Sequence, residues 1–313
     1  MELPVVQAGM GGGLAAHELA AAVSSAGGLG TIGILAPDRL RDEIAATRRL
    51  TDRPFAVNLL LPLARPAHFQ AAGEADVVVT FWGKPRRRTG GTWIHQVGSI
   101  EEGLAARSAG ADAVIAQGVE AGGHVRGTDP ALELLSRVRA GVGEDYPVLS
   151  AGGIATGEEA ADRLEAGAAG VVSGTRFLMS EESGAHPAYK ERLVQSRETF
   201  ITELFGLGWP APHRVVPNAA TERWLRGDRR GPGWVRAVHR LSAVGASRVP
   251  IGVQLRLAAS QRPSRPLFGP AAATADGPES LVDAGPLYAG ECIAGIDDVR
   301  PAGDLVAELA SGR

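Results

Sequence analysis

Residues 147–177 read PVLSAGGIATGEEAADRLEAGAAGVVSGTRF, and the pattern of this stretch decides the fold that we expect. Two short apolar runs, 147–153 and 170–177, flank a helical pattern that begins at Thr156. The apolar runs are continuous rather than alternating, which is typical of strands in a parallel sheet that is covered on both faces. Glycines follow each strand core, so the stretch predicts a strand–helix–strand unit whose turns bring bare backbone to one edge of the sheet.

The same unit recurs through the first 180 residues of the chain. Eight apolar or β-branched runs alternate with helical patterns: PVVQAGM (4–10), GLGTIGI (28–34), FAVNLLL (55–61), DVVVTFW (76–82), TWIHQV (92–97), AVIAQG (113–118), PVLSAGG (147–153) and GVVSGTRF (170–177). Eight strands with interleaved helices predict an α/β fold of the TIM-barrel type, (β/α)8. A doubly wound dinucleotide fold is the alternative, since AGMGGG follows the first run, but no acid closes the second run to hold a ribose.

One crossover departs from the repeating pattern. Only GKPRRRTGG (83–91) separates the fourth and fifth runs, which is too short for a full helix. We therefore expect a bare loop or a single turn at this place. The cationic run 86–88 predicts a solvated part of that loop rather than a binding patch.

The repeating pattern ends after Phe177, and three regions follow from this change. Residues 1–183 are predicted to form the barrel. Residues 184–262 combine helix-like runs with a proline-broken connector and three tryptophans, which predicts a mainly helical cap subdomain over the barrel mouth. Residues 263–313 are predicted to be a linker and a C-terminal segment that returns to the barrel.

Composition and charge exclude several classes of function. The 313 residues are 44% hydrophobic with a formal net charge of −3, so no electrostatic case exists for nucleic acid or an anionic membrane. Neither a membrane-spanning run nor a signal peptide is evident, and the single Cys292 rules out an intrachain disulfide framework. We expect a cytoplasmic protein that could form a homodimer.

Chemistry is expected where the strands end, because ligands of barrel enzymes bind there. Glycines after the seventh and eighth strands, Gly152-Gly153 and Gly174, are typical of a phosphate site made of backbone N–H groups. Asn58 and Gln117 lie in apolar runs, where an amide is either satisfied by backbone or directed at a polar ligand. His124 is the histidine that immediately follows a strand end in a glycine-rich loop.

Other kinds of site receive little support from the sequence. No histidine pair or cysteine cluster indicates a metal. Neither of the two lysines ends a strand in a way that indicates a Schiff base, since Lys84 lies in a loop. Cys292 lies far from any strand end and is expected to be a small buried apolar residue.

Five stretches together resemble the nitronate monooxygenase (2-nitropropane dioxygenase-like) family: PVVQAGM, LAAHELAAAVSSAGGLGTIG, FAVNLLLP, AQGVEAGGHVRG and PVLSAGGIATGEEAADRLEAGAAGVVSGTRFL. The resemblance covers most of residues 3–183 and returns at PLYAGECIAGIDDV. It implies an FMN-dependent (β/α)8 barrel with an added helical domain, which oxidises alkyl nitronates, with nitroalkanes as further candidates, using O2 and releasing a carbonyl compound and nitrite.

The resemblance also implies roles for individual residues. His124 would be the catalytic base, and Tyr288 would close the pocket. The flavin ring and ribityl chain would be lined by Met10, Asn58, Gln117, Gly122 and Gly123. The FMN phosphate would be held by Gly152, Gly153, Gly174 and Thr175.

This chain departs from the family at three places, and other functions stay open. Gly9 stands where the family usually has proline, the crossover after the fourth run is truncated, and Val125 follows His124 before Arg126-Gly127.

An NAD(P)H-dependent flavin reductase of the quinone or enoyl-carrier-protein type is the second hypothesis. A flavin-free phosphate-binding barrel, an isomerase or lyase, is the third.

Overall fold

The computed structural model describes residues 1–246 and 260–312. The chain forms two compact units. The first, called here the barrel unit, comprises Met1–Ala121, Arg126–Gly184 and Asp298–Arg313. The second unit comprises Gly122–Val125 and Ala185–Asp297.

The barrel unit is built on eight parallel strands within the described residues. They are β1 Val5–Gln7, β2 Thr31–Ile32, β3 Ala56–Leu60, β4 Val77–Phe81, β5 Thr92–Val97, β6 Ala113–Gln117, β8 Val148–Ala151 and β9 Val171–Ser173, while β7, Gly123–His124, belongs to the second unit. The sheet order is β1-β9-β8-β6-β5-β4-β3-β2. Parallel bridges Val6–Leu29 and Met10–Ile32 join the two ends and close the barrel. Each of the eight predicted runs contains one strand, so the predicted TIM barrel is confirmed.

Alternation along the strands separates an inner core from an outer one. The inner core contains Val6, Leu29, Ala56, Val79, Ile94, Ala113, Ile115, Leu149, Ala151 and Val172. The neighbouring positions face helices, which in this unit are α1 His17–Ser25, α2 Pro37–Leu50, α3 Pro66–Ala72, α4 Ile100–Ser108, α5 Ala131–Val142, α6 Gly157–Glu165 and α7 Thr175–Leu178. The Ser99 hydroxyl caps α4 through the N–H of Glu102, and Thr156 and Glu159 form a capping box on α6.

The crossover between β4 and β5 is a loop without a helix, as the sequence predicted. Arg87 fastens this loop to the outer wall. Its guanidinium donates to the carbonyls of Gly91 (3.0 Å) and Gly110, pairs with Asp112 (2.8 Å) and lies 5.6 Å from the Trp93 ring centroid. Residues 86–88 are exposed in this loop, and Arg87 in addition covers outer-wall groups that the missing helix leaves open.

The second unit contains a sheet that the sequence analysis missed. Strands β10 Phe200–Thr202 and β11 His213–Val215 are antiparallel, and β11 also pairs with β7. Segments of two or three residues are too short to show a periodicity, and these two strands lie within a helix-like run and the proline-broken connector of the sequence. The helices of this unit are α8 Pro187–Val194, α9 Ala219–Trp224, α10 Gly233–Ala246 and α11 Ser280–Ala284, with a 3-10 turn at Glu291–Gly295.

Two segments lie in a different unit from the one that the predicted boundaries imply. Residues 122–125 leave the barrel unit because β7 pairs with β11. Residues 263–297 belong to the second unit, and the return to the barrel unit comes at Asp298. The last helix, α12 Ala302–Ser311, packs Leu305 and Leu309 into the core formed around β1 and α1. Part of the predicted helical stretch, 247–259, lies outside the described residues.

The tryptophans of the second unit have different environments. Trp209 is buried, and the Trp224 indole donates to the carbonyl of Pro263 (2.8 Å). Trp234 meets Trp224 edge-on and is 55% exposed. The cap over the barrel mouth stays a prediction. No helix in the described part of the chain is long and apolar enough to span a bilayer.

Candidate functional site

The turn after β8 has a backbone that requires glycine. Gly152 and Gly153 have φ angles of +111° and +70°, a region that residues with a side chain rarely adopt. A Cβ at Gly152 would also lie 3.2 Å from the backbone nitrogen of Ala121. The turn lies at the carboxyl end of β8 and leads into the capped start of α6.

The turn after β9 is open rather than strained. Gly174 precedes the short helix α7, and its φ of −108° is accessible to any residue. A Cβ built on Gly174 would meet only the Ala8 Cβ, at 3.6 Å, which is ordinary van der Waals contact. Thr175, the first residue of α7, is buried. Neither the backbone of Gly174 nor the described atoms around it therefore require a glycine at this position.

Asn58 lies on the inner side of β3, close to Thr31 of β2. A Cβ at Gly9 would lie 2.3 Å from the Asn58 Cβ and 3.1 Å from the Thr31 Cγ2, so Gly9 permits this close approach. Any residue larger than glycine at position 9 would meet Asn58 on this backbone. The buried Thr31 hydroxyl has no hydrogen-bond partner within the described structure. Sequence reasoning missed Thr31, although its alternation with the outward Ile32 could have identified it.

Gln117 ends β6 with its amide held in one orientation. Its Oε1 accepts a hydrogen bond from the backbone N–H of Arg126 (3.1 Å), and the side chain is buried. Because the oxygen is engaged in this way, the amide NH2 group is directed elsewhere as a donor. Met10 lies at the carboxyl end of β1, where it bridges to Ile32, and its side chain packs against the core beside α1.

The alternation of β5 places Gln96 inside the barrel and His95 outside it. Gln96 lies two residues beyond the inner-core Ile94 and is half-buried. His95 instead bonds the Thr80 hydroxyl (2.7 Å), which also accepts the Trp93 indole N–H (2.7 Å). Burial lowers the pKa of His95 to about 4. Gln96 is thus a further polar residue of the inner face that sequence reasoning overlooked.

Glu120, the acidic residue in the glycine-rich loop after β6, stabilises the start of α5. Both carboxylate oxygens of Glu120 accept from the N–H of Ala131 (3.0 Å), the first residue of α5. A carboxylate at a helix N-terminus is also favoured by the helix dipole. A bond from the Val119 N–H to the carbonyl of Asp129 (2.9 Å) closes the same loop. These contacts fix the chain before it enters β7.

Gly122, Gly123 and His124 lie in the second unit. Gly123 and His124 pair with Arg214 and His213 of β11. A Cβ at Gly122 would lie 2.5 Å from the backbone nitrogen of Gly290, and Gly123 has a φ of +69°. Both glycines are therefore required by the strand that carries His124.

The His124 ring is enclosed by aromatic side chains of the second unit. It stacks on Trp209, with centroids 3.8 Å apart and planes at 22°. His213 and Tyr288 lie 5.4 and 5.5 Å from it. Burial, with a smaller effect of His213, holds the pKa of His124 well below its usual value, so its imidazole is neutral at physiological pH.

The two residues beside His124 are both fixed by backbone. The Nδ1 of His213 lies 2.9 Å from the Ala211 carbonyl, and its Nε2 accepts the N–H of Phe205 (3.4 Å). Burial lowers the pKa of His213 to about 4, so this histidine is a neutral structural group. The Tyr288 hydroxyl donates to the carbonyl of Pro270 (3.0 Å), and burial raises its pKa.

The predicted residues thus fall into two groups. The barrel unit brings together the carboxyl-end group, which consists of Met10, Asn58, Gln117, Gly152, Gly153, Gly174 and Thr175. The second unit brings together Gly122, Gly123, His124 and Tyr288. Among the described residues, no three His, Cys, Asp or Glu side chains are grouped so that they could hold a metal ion.

Comparison with known proteins supplies an independent line of evidence. A family model described as nitronate monooxygenase matches residues 1–83 and 69–312. A probable nitronate monooxygenase of Staphylococcus saprophyticus is 36% identical over 256 residues, which is 64% of this chain and 71% of that protein.

Two solved structures resemble almost the whole chain. FabK from Thermotoga maritima is 30% identical, with a TM-score of 0.77 over 100% of this chain and 93% of its own. A nitroalkane oxidase from Streptomyces ansochromogenes is 31% identical, with a TM-score of 0.76 over 99% of this chain and 96% of its own.

Proposed function

Because the chain belongs to the nitronate monooxygenase family, we propose that it binds FMN and uses O2 to oxidise alkyl nitronates to a carbonyl compound and nitrite. The family is flavin-dependent, and oxidation of nitronates is the reaction for which it is named. FMN is our choice among the flavins because of the glycine turns after β8 and β9. Such turns in a barrel suit a terminal phosphate.

The observation that carries the proposal is the combination of these turns with inward polar groups. Gly152 and Gly153 have left-handed backbones, and Gly174 is small without any need imposed by its protein neighbours. The buried hydroxyl of Thr31 lacks a protein partner, and Asn58 lies beside it. A phosphate and a polar ring system would supply the groups that these residues are suited to bind.

The residues of the barrel unit bind and orient the cofactor in this proposal. Gly152, Gly153, Gly174 and Thr175 hold the phosphate, while Met10, Asn58 and Gln117 line the ring and ribityl chain. Gln117 presents its NH2 group as a donor, because the Arg126 N–H fixes the opposite end of the amide. When bound, the flavin supplies the redox chemistry by accepting electrons from the substrate and passing them to oxygen.

We assign the role of base to His124, with Gly122 and Gly123 carrying it and Tyr288 beside it. A neutral imidazole can accept a carbon-bound proton from a nitroalkane at neutral pH. The lowered pKa of His124 also makes it a weaker base. Preformed nitronates, which need no proton removal, are therefore expected to react faster than neutral nitroalkanes.

A flavin reductase that uses NAD(P)H is the second candidate. It is kept because the chain resembles FabK as closely as it resembles the nitroalkane oxidase. A homodimer and a cytoplasmic location remain expectations, to be tested by light scattering and by fractionation of the producing cells.

One experiment separates these functions. The purified protein is examined for a visible flavin spectrum, the released flavin is identified by mass, and nitrite is measured with ethyl nitronate and with nitroethane. We expect FMN, and nitrite release that is faster from the nitronate. A colourless protein would support a flavin-free phosphate-binding barrel, and anaerobic bleaching by NADH without nitrite release would support the reductase.

A further inference from the structure

Trp82, the residue that follows β4, has a backbone conformation that is unfavourable for its type. Its φ is +62°, and it is the only non-glycine residue with a positive φ in residues 1–246 and 260–312. A bulky side chain in the left-handed region is an outlier, and glycine would be favoured there. Strain of this kind is typically retained where the side chain has a use.

An ion pair holds the indole of Trp82. The Arg126 guanidinium lies 4.7 Å from the Trp82 ring centroid. Glu102 binds the same guanidinium, with its Oε1 at 2.7 Å from Nε and 2.6 Å from Nη2. The three side chains, called here the rim cluster, are therefore joined by a cation–π contact and by an ion pair in which one carboxylate oxygen meets two guanidinium nitrogens.

The rim cluster stands at the carboxyl ends of three neighbouring strands of the barrel unit. Trp82 follows β4 directly, Glu102 lies in the first turn of the helix after β5, and Arg126 ends the excursion that begins after β6. The backbone N–H of Arg126 also bonds Gln117 (3.1 Å), so the cluster is joined to a residue assigned to the cofactor. Barrel substrates bind at this end of the strands.

We propose that Trp82 is a specificity-determining residue that restricts the substrate to nitronates with short alkyl chains. This inference rests on the proposed function. The Trp82 indole contacts the Arg126 guanidinium, which the Glu102 carboxylate holds. The indole cannot rotate to make room for a longer alkyl chain without losing its cation–π contact. The indole thus limits the room at the rim, and its removal extends the space available to an alkyl group.

The test compares ethyl nitronate with hexyl nitronate for the wild type, Trp82→Gly and Trp82→Phe. Glycine removes the indole and also relieves the left-handed backbone, so the variant is expected to fold with its flavin. We expect the ratio of kcat/KM for hexyl over ethyl nitronate to rise by roughly 10-fold or more in Trp82→Gly, within the range that hydrophobic pockets discriminate. Trp82→Phe should give an intermediate ratio. Trp234→Ala, at an exposed tryptophan of α10, is the matched control and should leave the ratio unchanged.

Arg126 provides a second, independent arm. Arg126→Met releases the indole while it remains in place, and we expect a smaller rise in the same ratio, which Arg126→Lys should partly reverse. If the wild type oxidises nitronates but neither Trp82 variant changes the ratio, the role of Trp82 is refuted and the proposed function stands. If the wild type oxidises no nitronate, the proposed function fails first, and this inference fails with it.

Discussion

The imidazole of His124 combines two properties that oppose each other in acid–base catalysis. Burial among Trp209, His213 and Tyr288 keeps it unprotonated, and the same burial weakens it as a base. Since its pKa lies well below 6.5, activity should not decline as the pH falls through 6.5. We expect kcat/KM for nitroethane to stay level between pH 8 and 6, whereas an ordinary histidine base would lose activity across that range.

Replacing His124 with asparagine separates a base from a structural residue. We expect His124→Asn to retain FMN, because the residues assigned to the flavin lie mainly in the barrel unit. Activity on nitroethane should fall by roughly 10²- to 10⁴-fold, and activity on ethyl nitronate far less, since that substrate has already lost its proton. His186→Asn, which replaces one N-cap residue of α8 with another, is the control. Equal losses on both substrates would remove His124 from the role of base.

Gly174 offers the cleanest test of the phosphate assignment. Its φ of −108° and its open surroundings allow valine without strain, in contrast to Gly152 and Gly153. We expect Gly174→Val to fold normally but to carry little FMN, as measured by visible absorption per mole of protein. Gly90→Val, at an exposed loop position with equally open surroundings, should keep its flavin. Full flavin content in Gly174→Val would contradict the assignment.

In the loop between β4 and β5, the side chain of Arg87 takes the place of the missing helix. Arg87 covers the wall that a helix would normally cover, through two carbonyls, Asp112 and the Trp93 ring. We expect Arg87→Ala to lower the free energy of unfolding by about 1–2 kcal/mol, because the arginine is partly exposed and its contacts are only partly desolvated. Arg86→Ala should change the free energy by less than about 0.5 kcal/mol. Urea unfolding of both variants checks this, and equal effects would argue against a special role for Arg87.

The barrel strands and the short strands of the second unit differ in how far sequence could reveal them. Each barrel strand lies in a short apolar run, most of them bounded by glycine or proline, and hydrophobic burial on both faces leaves a pattern that is readable without a structure. Strands β7, β10 and β11 have two or three residues each, and their stability comes from pairing between distant segments. The role of Glu120 also cannot be read from the sequence. Its carboxylate accepts a hydrogen bond from the N–H of Ala131, and this contact depends on α5 beginning at Ala131.

Buried neutral histidines occur in both units and link the stability of the whole protein to pH. Burial lowers the pKa of His68, His95, His124, His213 and His239, to about 4 for His95 and His213. The unfolded chain, with pKa values near 6.5, then binds more protons than the folded one between these values. Stability is therefore complete above pH 6.5 and is lost as the pH falls toward 4, by up to about 1.4 kcal/mol per pH unit for each histidine.

We expect the thermal midpoint, measured with saturating FMN, to fall steeply between pH 6.5 and 4.5. His95→Gln removes one of the titrating groups and should make this decline shallower, even if the variant is less stable at pH 7.5. An unchanged slope in His95→Gln would show that the acid sensitivity arises elsewhere, for example from carboxylates such as Glu43. Burial works to raise the pKa of Glu43, but its hydrogen bonds with His17 and Arg39 prevail and lower it.

The residues of the candidate site were predictable to different degrees. Glycine turns and a histidine just after a strand are local signals, so Gly152, Gly174 and His124 could be proposed as candidates from the sequence. Thr31 and Gln96 could be identified only by knowing which positions of β2 and β5 face the inside of the barrel. The aromatic surroundings of His124 could be identified only by knowing that β7 pairs with β11. The rim cluster joins residues 82, 102 and 126 through a cation–π contact that leaves no pattern in the sequence.

The pairing of β7 with β11 has a consequence for how the protein is made. His213 leaves the ribosome 89 residues after its partner His124, a delay of roughly 4 to 18 seconds at ordinary translation speeds. During that interval the nascent chain displays Gly122–Val125 with unpaired backbone groups. Helix α12, which packs into the core around β1, emerges after the other described elements. A chain that stalls before residue 213 would therefore lack both α12 and the strand that pairs with β7, and we expect the apolar surface left uncovered to be recognised by chaperones and proteases.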